Sequence, residues 1–201
     1  LFIEKSSVKG KWNAKGWCLN KSLLILGQGP SLKKKENINK IKDFILKTKC
    51  IVLSININNF IPNYLIDFYI ASNETRISVD SAKYNNLSKK IIVPELKLKK
   101  IKKDYKKINY LDYGVTLKNN LFKHSNNYAI LPHNLTFGYA MAVALEGQSK
   151  DITIAGFDGY KKNQLQQIEM QKTINLILQN NKNLNLNSLT PTKYTLNRRQ
   201  T

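Results

Sequence analysis

The sequence predicts an α/β fold: a three-layer sandwich around a mostly parallel sheet. Three observations predict it. Apolar runs of strand length recur along the chain. Segments with apolar residues at helical spacing lie between several of them. The best-defined run enters a glycine turn that opens a helix. In such a sheet a ligand lies beyond the C-terminal strand ends, so the loops there form the candidate site.

The elements follow in order. The first strand, over 22–26, is Ser22-Leu23-Leu24-Ile25-Leu26, and it runs into Gly27-Gln28-Gly29-Pro30-Ser31-Leu32. A helix over 34–47 places Ile38, Ile41, Phe44 and Ile45 on one face, with Ser31 near its N-cap. The second strand, over 50–55, is apolar almost throughout, as a strand buried on both faces should be. It ends at Asn56, with Asn58 and Asn59 in the loop. Pro62 opens a short turn, and a third strand over 67–71 ends in Ser72-Asn73-Glu74-Thr75. A fourth strand over 90–93 is closed by Pro94. The lysine-dense stretch over 96–107 reads as a solvated helix face. Further strands are expected over 110–115 and 128–131. Leu135-Thr136-Phe137-Gly138 then leads into an apolar helix, with Ala140, Ala142 and Ala144 allowing close packing and Gly147 ending it. A strand over 151–155 carries the loop Gly156-Phe157-Asp158-Gly159-Tyr160, and a last helix covers 164–178. Residues 1–20 read as a linker whose Trp17 could fold back, and 21–201 as one domain.

Composition narrows the function classes. At 201 residues, 42% of them apolar, one domain with a full core is expected. The net charge of +20 raises nucleic acid as a partner. The excess is nearly all lysine, however, with only Arg76, Arg198 and Arg199, and Asn and Ile are also heavily used. That joint bias matches an AT-rich coding sequence, so nucleic acid is disfavoured. The charge would still attract a phosphorylated or carboxylated ligand. Cys18 and Cys50 have no metal-like spacing, and Cys50 reads as a small core residue. With no membrane-length apolar run and no signal peptide, the expectation is a cytoplasmic protein with no membrane partner. The start at Leu1 rather than Met leaves open a fragment of a longer polypeptide, and a homo-oligomer also stays open.

The loops carry the chemistry. In Gly27-Gln28-Gly29-Pro30-Ser31, glycine permits positive φ and lets a ligand approach the backbone, while Ser31 and the helix-start N–H groups could hold phosphate oxygens. A dinucleotide fingerprint would need a third glycine where Leu32 stands and an acidic residue where Asn56 stands. No Gly-Lys-Ser/Thr follows, so a P-loop is excluded. Thr136 and Gly138 mark a second helix N-terminus. Asp158 could bind Mg²⁺ through water, accept from a sugar hydroxyl, or simply cap a turn. Tyr160 could stack on a base or donate to a leaving phosphate. His133 could reach the site as acid or base, whereas neither it nor His124 sits in a metal motif.

Gly27-Gln28-Gly29-Pro30-Ser31-Leu32, Thr136-Phe137-Gly138 and Ile154-Ala155-Gly156-Phe157-Asp158-Gly159-Tyr160 together resemble a Rossmann-like domain. It is shared by the 6-hydroxymethylpterin pyrophosphokinase-like family and the bacterial sialyltransferases that use CMP-sialic acid. More closely, Trp17 to Tyr194 resembles the C-terminal domain appended to aldolases of the HMG-CoA lyase (pyruvate carboxyltransferase-like) class in surface-sugar biosynthesis. Asn13-Ala14-Lys15-Gly16-Trp17, Ile61-Pro62-Asn63-Tyr64-Leu65-Ile66-Asp67 and Leu189-Thr190-Pro191-Thr192-Lys193-Tyr194 share in that likeness. The resemblance implies a nucleotide or phosphorylated-sugar ligand held by Gln28, Gly29, Ser31, Asn56, Thr136 and Gly138; Gly27 and Asn73, in the loops after the first and third strands, join them as candidate ligand-binding residues. It implies Tyr160 assisting a departing phosphate with Asp158 beside it, and Mg²⁺ as a candidate cofactor. Alternatively, the domain is itself a transferase of diphosphoryl or glycosyl groups. The sialyltransferases carry a catalytic histidine in a later segment, and residues 159–201 here contain none. The aldolase barrel would lie upstream of these residues.

Overall fold

A computed structural model describes residues 9–196; residues 1–8 of the expected linker, and Arg198 and Arg199, lie outside them. Strands β1 (Ser22–Leu26), β2 (Ile51–Ile55), β3 (Phe68–Ile70), β4 (Lys90–Val93), β5 (Tyr110–Asp112), β9 (Asp151–Ala155) and β10 (Leu186–Ser188) make one sheet in the order β10-β9-β1-β2-β3-β4-β5. Every pairing in it is parallel. Around it lie the helices α1 (Lys35–Thr48), α2 (Glu74–Tyr84), α3 (Glu95–Ile101), α4 (Thr136–Glu146) and α5 (Leu165–Asn180). The fold is the Rossmann-like three-layer sandwich that the alternating pattern predicts.

Strand alternation builds the two cores. In β1, Leu23 and Ile25 face one side and Leu24 and Leu26 the other, all fully buried. Leu23, Ile25, Leu53, Ile70 and Ile154 pack with α4 and α5. Leu24, Leu26, Val52, Ile91 and Val93 pack with the inner faces of α1, α2 and α3. Burial on both faces is why these strands are continuously apolar rather than alternating. Helix α4 is buried almost all round, because α5 and a second, three-stranded sheet also cover it. That sheet has the order β6-β8-β7, from β6 (Gly114–Leu117), β7 (Lys123–Ser125) and β8 (Tyr128–Leu131).

Several elements differ from the expectation. The stretch over 110–115 is two strands in two sheets, parted at Tyr113. That residue is fully buried and donates its hydroxyl to the Ser125 carbonyl at 2.8 Å, and its own carbonyl accepts from the Tyr139 hydroxyl. Asn73 ends the loop after β3 as the N-cap of an unexpected helix: its side chain accepts from the Arg76 N–H at 3.2 Å at the head of α2, whose polar composition hid it. The lysine-dense stretch is helical only to Ile101; Tyr105 then turns into the core through a 3₁₀ turn. A 3₁₀ turn, Pro30–Lys33, also separates β1 from α1. Residues 10–20, read as linker, are bound to the sheet ends. Gly10 and Ala14 donate to the carbonyls of Asn127 and Asn126, and the Trp17 indole donates to the Val143 carbonyl at 2.9 Å.

Candidate functional site

The chain runs outward from β1 through β2, β3, β4 and β5, then returns to β1's other side as β9. The loops after β1 and β9 therefore leave in opposite directions. This topological switch point, at the C-terminal strand ends, is where an open α/β sheet forms its crevice. A cavity of about 570 Å³ lies there.

The two loops run side by side across the switch point. Gly27 donates to the Ala155 carbonyl at 2.8 Å and Gly29 to the Gly156 carbonyl at 2.7 Å. A Cβ on Gly27 would stand 2.4 Å from the Gly156 oxygen, and one on Gly29 would stand 2.6 Å from Asp158 Oδ1. Close approach of protein backbone, not positive φ, is what requires these glycines: Gly29 has φ −65°. The left-handed positions around the cavity are Asn56 at +56°, Gly156 at +74° and Gly159 at +88°.

Ser31 and Asp158 close the crossing. The Ser31 N–H donates to Asp158 Oδ2 at 2.6 Å, and its hydroxyl donates to Oδ1 at 2.5 Å. The turn expected to hold a ligand phosphate thus holds the protein's own carboxylate. Asp158 caps the Pro30–Lys33 turn from the far loop. Ser31 is buried behind it and is not on the cavity wall.

The other predicted residues separate in the same way. Gly27, Gln28, Gly29, Asn56, Asn73, Thr136, Asp158 and Tyr160 share the cavity wall. Gly138 does not: a Cβ there would stand 3.2 Å from Thr173 Cγ2, so it fits α4 against α5. His133 is also off the wall, with Nδ1 3.7 Å from Glu169. His124 pairs with Glu146 at 2.8 Å.

Three features give the cavity its chemistry. Asn56 is 8% exposed, its backbone is fixed by bonds to Ile70 and Ser54, and its Oδ1 has no hydrogen-bond partner. A buried amide oxygen left unpaired is costly, so a small side-chain shift that brought it to a ligand's donor would recover that cost. The first turn of α4 opens at Thr136 with no side-chain cap, and its N–H groups have no intrahelical acceptor. Among the described residues Arg76 is the only cation on the wall, and its guanidinium donates to Gln28 Oε1 at 3.0 Å. Gln28 is itself fixed, donating to the Ile57 carbonyl at 2.6 Å.

The far side is aromatic and apolar. Phe137 and Phe157 meet edge-on at 5.2 Å. Tyr160 is half-exposed on the rim, beside buried Tyr194, whose phenol is pushed up to about 12 by burial and then by the neighbouring Tyr160. The C-terminal segment straps this loop down. Thr190 accepts from the Gly156 N–H, Thr192 donates to the Phe157 carbonyl, and the Lys193 N–H donates to the Asp158 carbonyl.

Among the described residues no group of three or more His, Cys, Asp or Glu could hold a metal ion. Among the described residues Asp158 is the one carboxylate on the wall, so a Mg²⁺ ion there would need ligand phosphates to complete its shell. Sequence reasoning missed Arg76 and Tyr194. The signal for Arg76 was present: it is the lone arginine of the described residues in a chain whose charge is lysine. No helix of the described residues is long and apolar enough to cross a membrane. No family model, curated protein or solved structure matches the chain.

Proposed function

We propose that this chain is a nucleotide- or phosphosugar-binding domain. The observation that carries the reading is Asn56, a residue lining a switch-point cavity whose buried amide oxygen has no hydrogen-bond partner. It asks for a hydroxyl or amine donor, as a sugar or base provides. Arg76 and the open α4 N-terminus supply the complementary demand for an anion. Asp158 already fills the β1 turn, so the ligand's anionic end belongs toward Arg76 and Thr136, with its ring among Phe137, Phe157 and Tyr194. The likeness of Trp17 to Tyr194 to an aldolase-appended domain supports service to an aldolase-type enzyme of surface-sugar biosynthesis. A transferase is the second reading, favoured by Tyr160 on the rim beside Tyr194, where a departing phosphate could take its proton.

Thermal-shift measurement with CMP, CDP, ATP and sugar nucleotides, with and without Mg²⁺, tests the reading. A ligand at a hundredfold its Kd stabilises by about 2.7 kcal/mol, which for a chain of this length is a rise of roughly 5–11 °C. Arg76→Ala should remove the shift. No shift with any of these compounds refutes the proposal.

A further inference from the structure

A second cavity, of about 400 Å³, adjoins the first on the α2 side. The two share Gln28, Pro30 and Arg76, so they are lobes of one cleft divided by the Gln28–Arg76 hydrogen bond. The outer lobe is walled by Lys33, Asn59, Phe60 and Asp80. Its character is opposite to the inner lobe's aromatic side: it brings a second cation, and Arg76 is common to both.

The state of Arg76 is the informative detail. Asp80 lies one helical turn on, 5% exposed, and would be its natural salt-bridge partner. The two form an ion pair, loosely: the guanidinium stands 3.7 Å from Asp80 Oδ2 without a hydrogen bond, and it donates instead to Gln28 Oε1 at 3.0 Å. Asp80 neutralises the guanidinium only at a distance, and Gln28 holds it on the partition. The side chain stays part-exposed on the partition, where a ligand can meet its remaining donors.

We infer that the outer lobe is a subsite for a second phosphoryl group, on a ligand whose first phosphoryl group sits against Arg76 from the inner lobe and whose chain runs past the partition to Lys33. This rests on the nucleotide-binding reading and sharpens it: the site distinguishes diphosphates from monophosphates.

The test is the ratio of the monophosphate to the diphosphate Kd, measured by calorimetry with AMP against ADP and CMP against CDP on the full chain. An ammonium brought to about 4 Å of a phosphate in water-like surroundings is worth roughly fivefold in affinity. The wild-type ratio should therefore be about five or more, and Lys33→Ala should bring it close to one. Lys47→Ala, an exposed lysine on α1 outside both lobes, is the control for the general field of a +20 chain. A ratio unchanged by Lys33→Ala overturns the inference, and so does an equal fall with Lys47→Ala. Tight monophosphate binding with a wild-type ratio of one overturns the subsite while leaving the nucleotide reading intact. Failure of all four nucleotides to bind removes both.

Discussion

Replacing Asp158 by alanine should destabilise the unliganded protein. The carboxylate accepts two charge-assisted hydrogen bonds from Ser31 and ties the loop after β9 to the turn after β1. Each such bond contributes about 1.5–3 kcal/mol net. The two bonds hold one turn, so their effects overlap rather than add, and Asp158 is part-exposed, so water partly replaces it for Ser31. The expected loss is about 3 kcal/mol. For a chain of this size that lowers Tm by roughly 6–12 °C. Asp158→Asn keeps one acceptor and loses the charge, so it should lose about half as much. Ser31→Ala removes only the hydroxyl donor and should cost about 1.5 kcal/mol. In the double variant the loss should fall short of the sum, because Ser31 and Asp158 act on each other. Differential scanning calorimetry without ligand measures all four. A Tm for Asp158→Ala at or above wild type would refute the reasoning. Removing a carboxylate kept for chemistry is commonly neutral or stabilising, whereas removing a cap is not.

Two further outcomes test the packing. The Cys18 thiol is pushed up to about 12 by burial, and burial also raises Cys50, so neither thiol should react with iodoacetamide at pH 8 in the folded protein. Mass spectrometry should show both alkylated in guanidinium chloride; rapid modification under native conditions would contradict their burial. Gly156→Ala meets positive φ and a Cβ 2.7 Å from Leu32 Cδ1, whereas Gly16→Ala meets positive φ in open space. Urea unfolding should show a loss of about 3 kcal/mol for the first and about 1 kcal/mol for the second; equal losses would contradict the crowding at the switch point.

The glycine turn shows how far the residues alone could be read. Its place after a buried strand was legible, because Leu23 to Leu26 are apolar on both faces and Gly27 breaks the run. Its purpose was not. A glycine required by a neighbouring carbonyl and one required by a ligand look alike in sequence, and the neighbour here, Gly156, is far away in the chain. Asn73 was legible as a residue near the site, but not as the cap of α2, because that helix's exposed face outweighs its three buried residues. The stretch around Tyr113 read as one strand because its propensity is uniform; the break comes from a hydroxyl bond to Ser125 in another sheet.

By itself the sequence determined the class of fold and the edge of the sheet where the cavity lies. Both follow from local periodicity: strands buried on two faces, helices between them, and loops at the ends of strands. Tertiary structure decided the rest. It joined Ser31 to Asp158, turning a phosphate-like turn into an internally satisfied one. It brought Arg76 to Gln28 and left Asn56 Oδ1 without a donor. Those outcomes depend on which distant atoms meet at the switch point, and hydrogen bonding at about 3 Å is a property of that meeting rather than of any residue's neighbours in the chain.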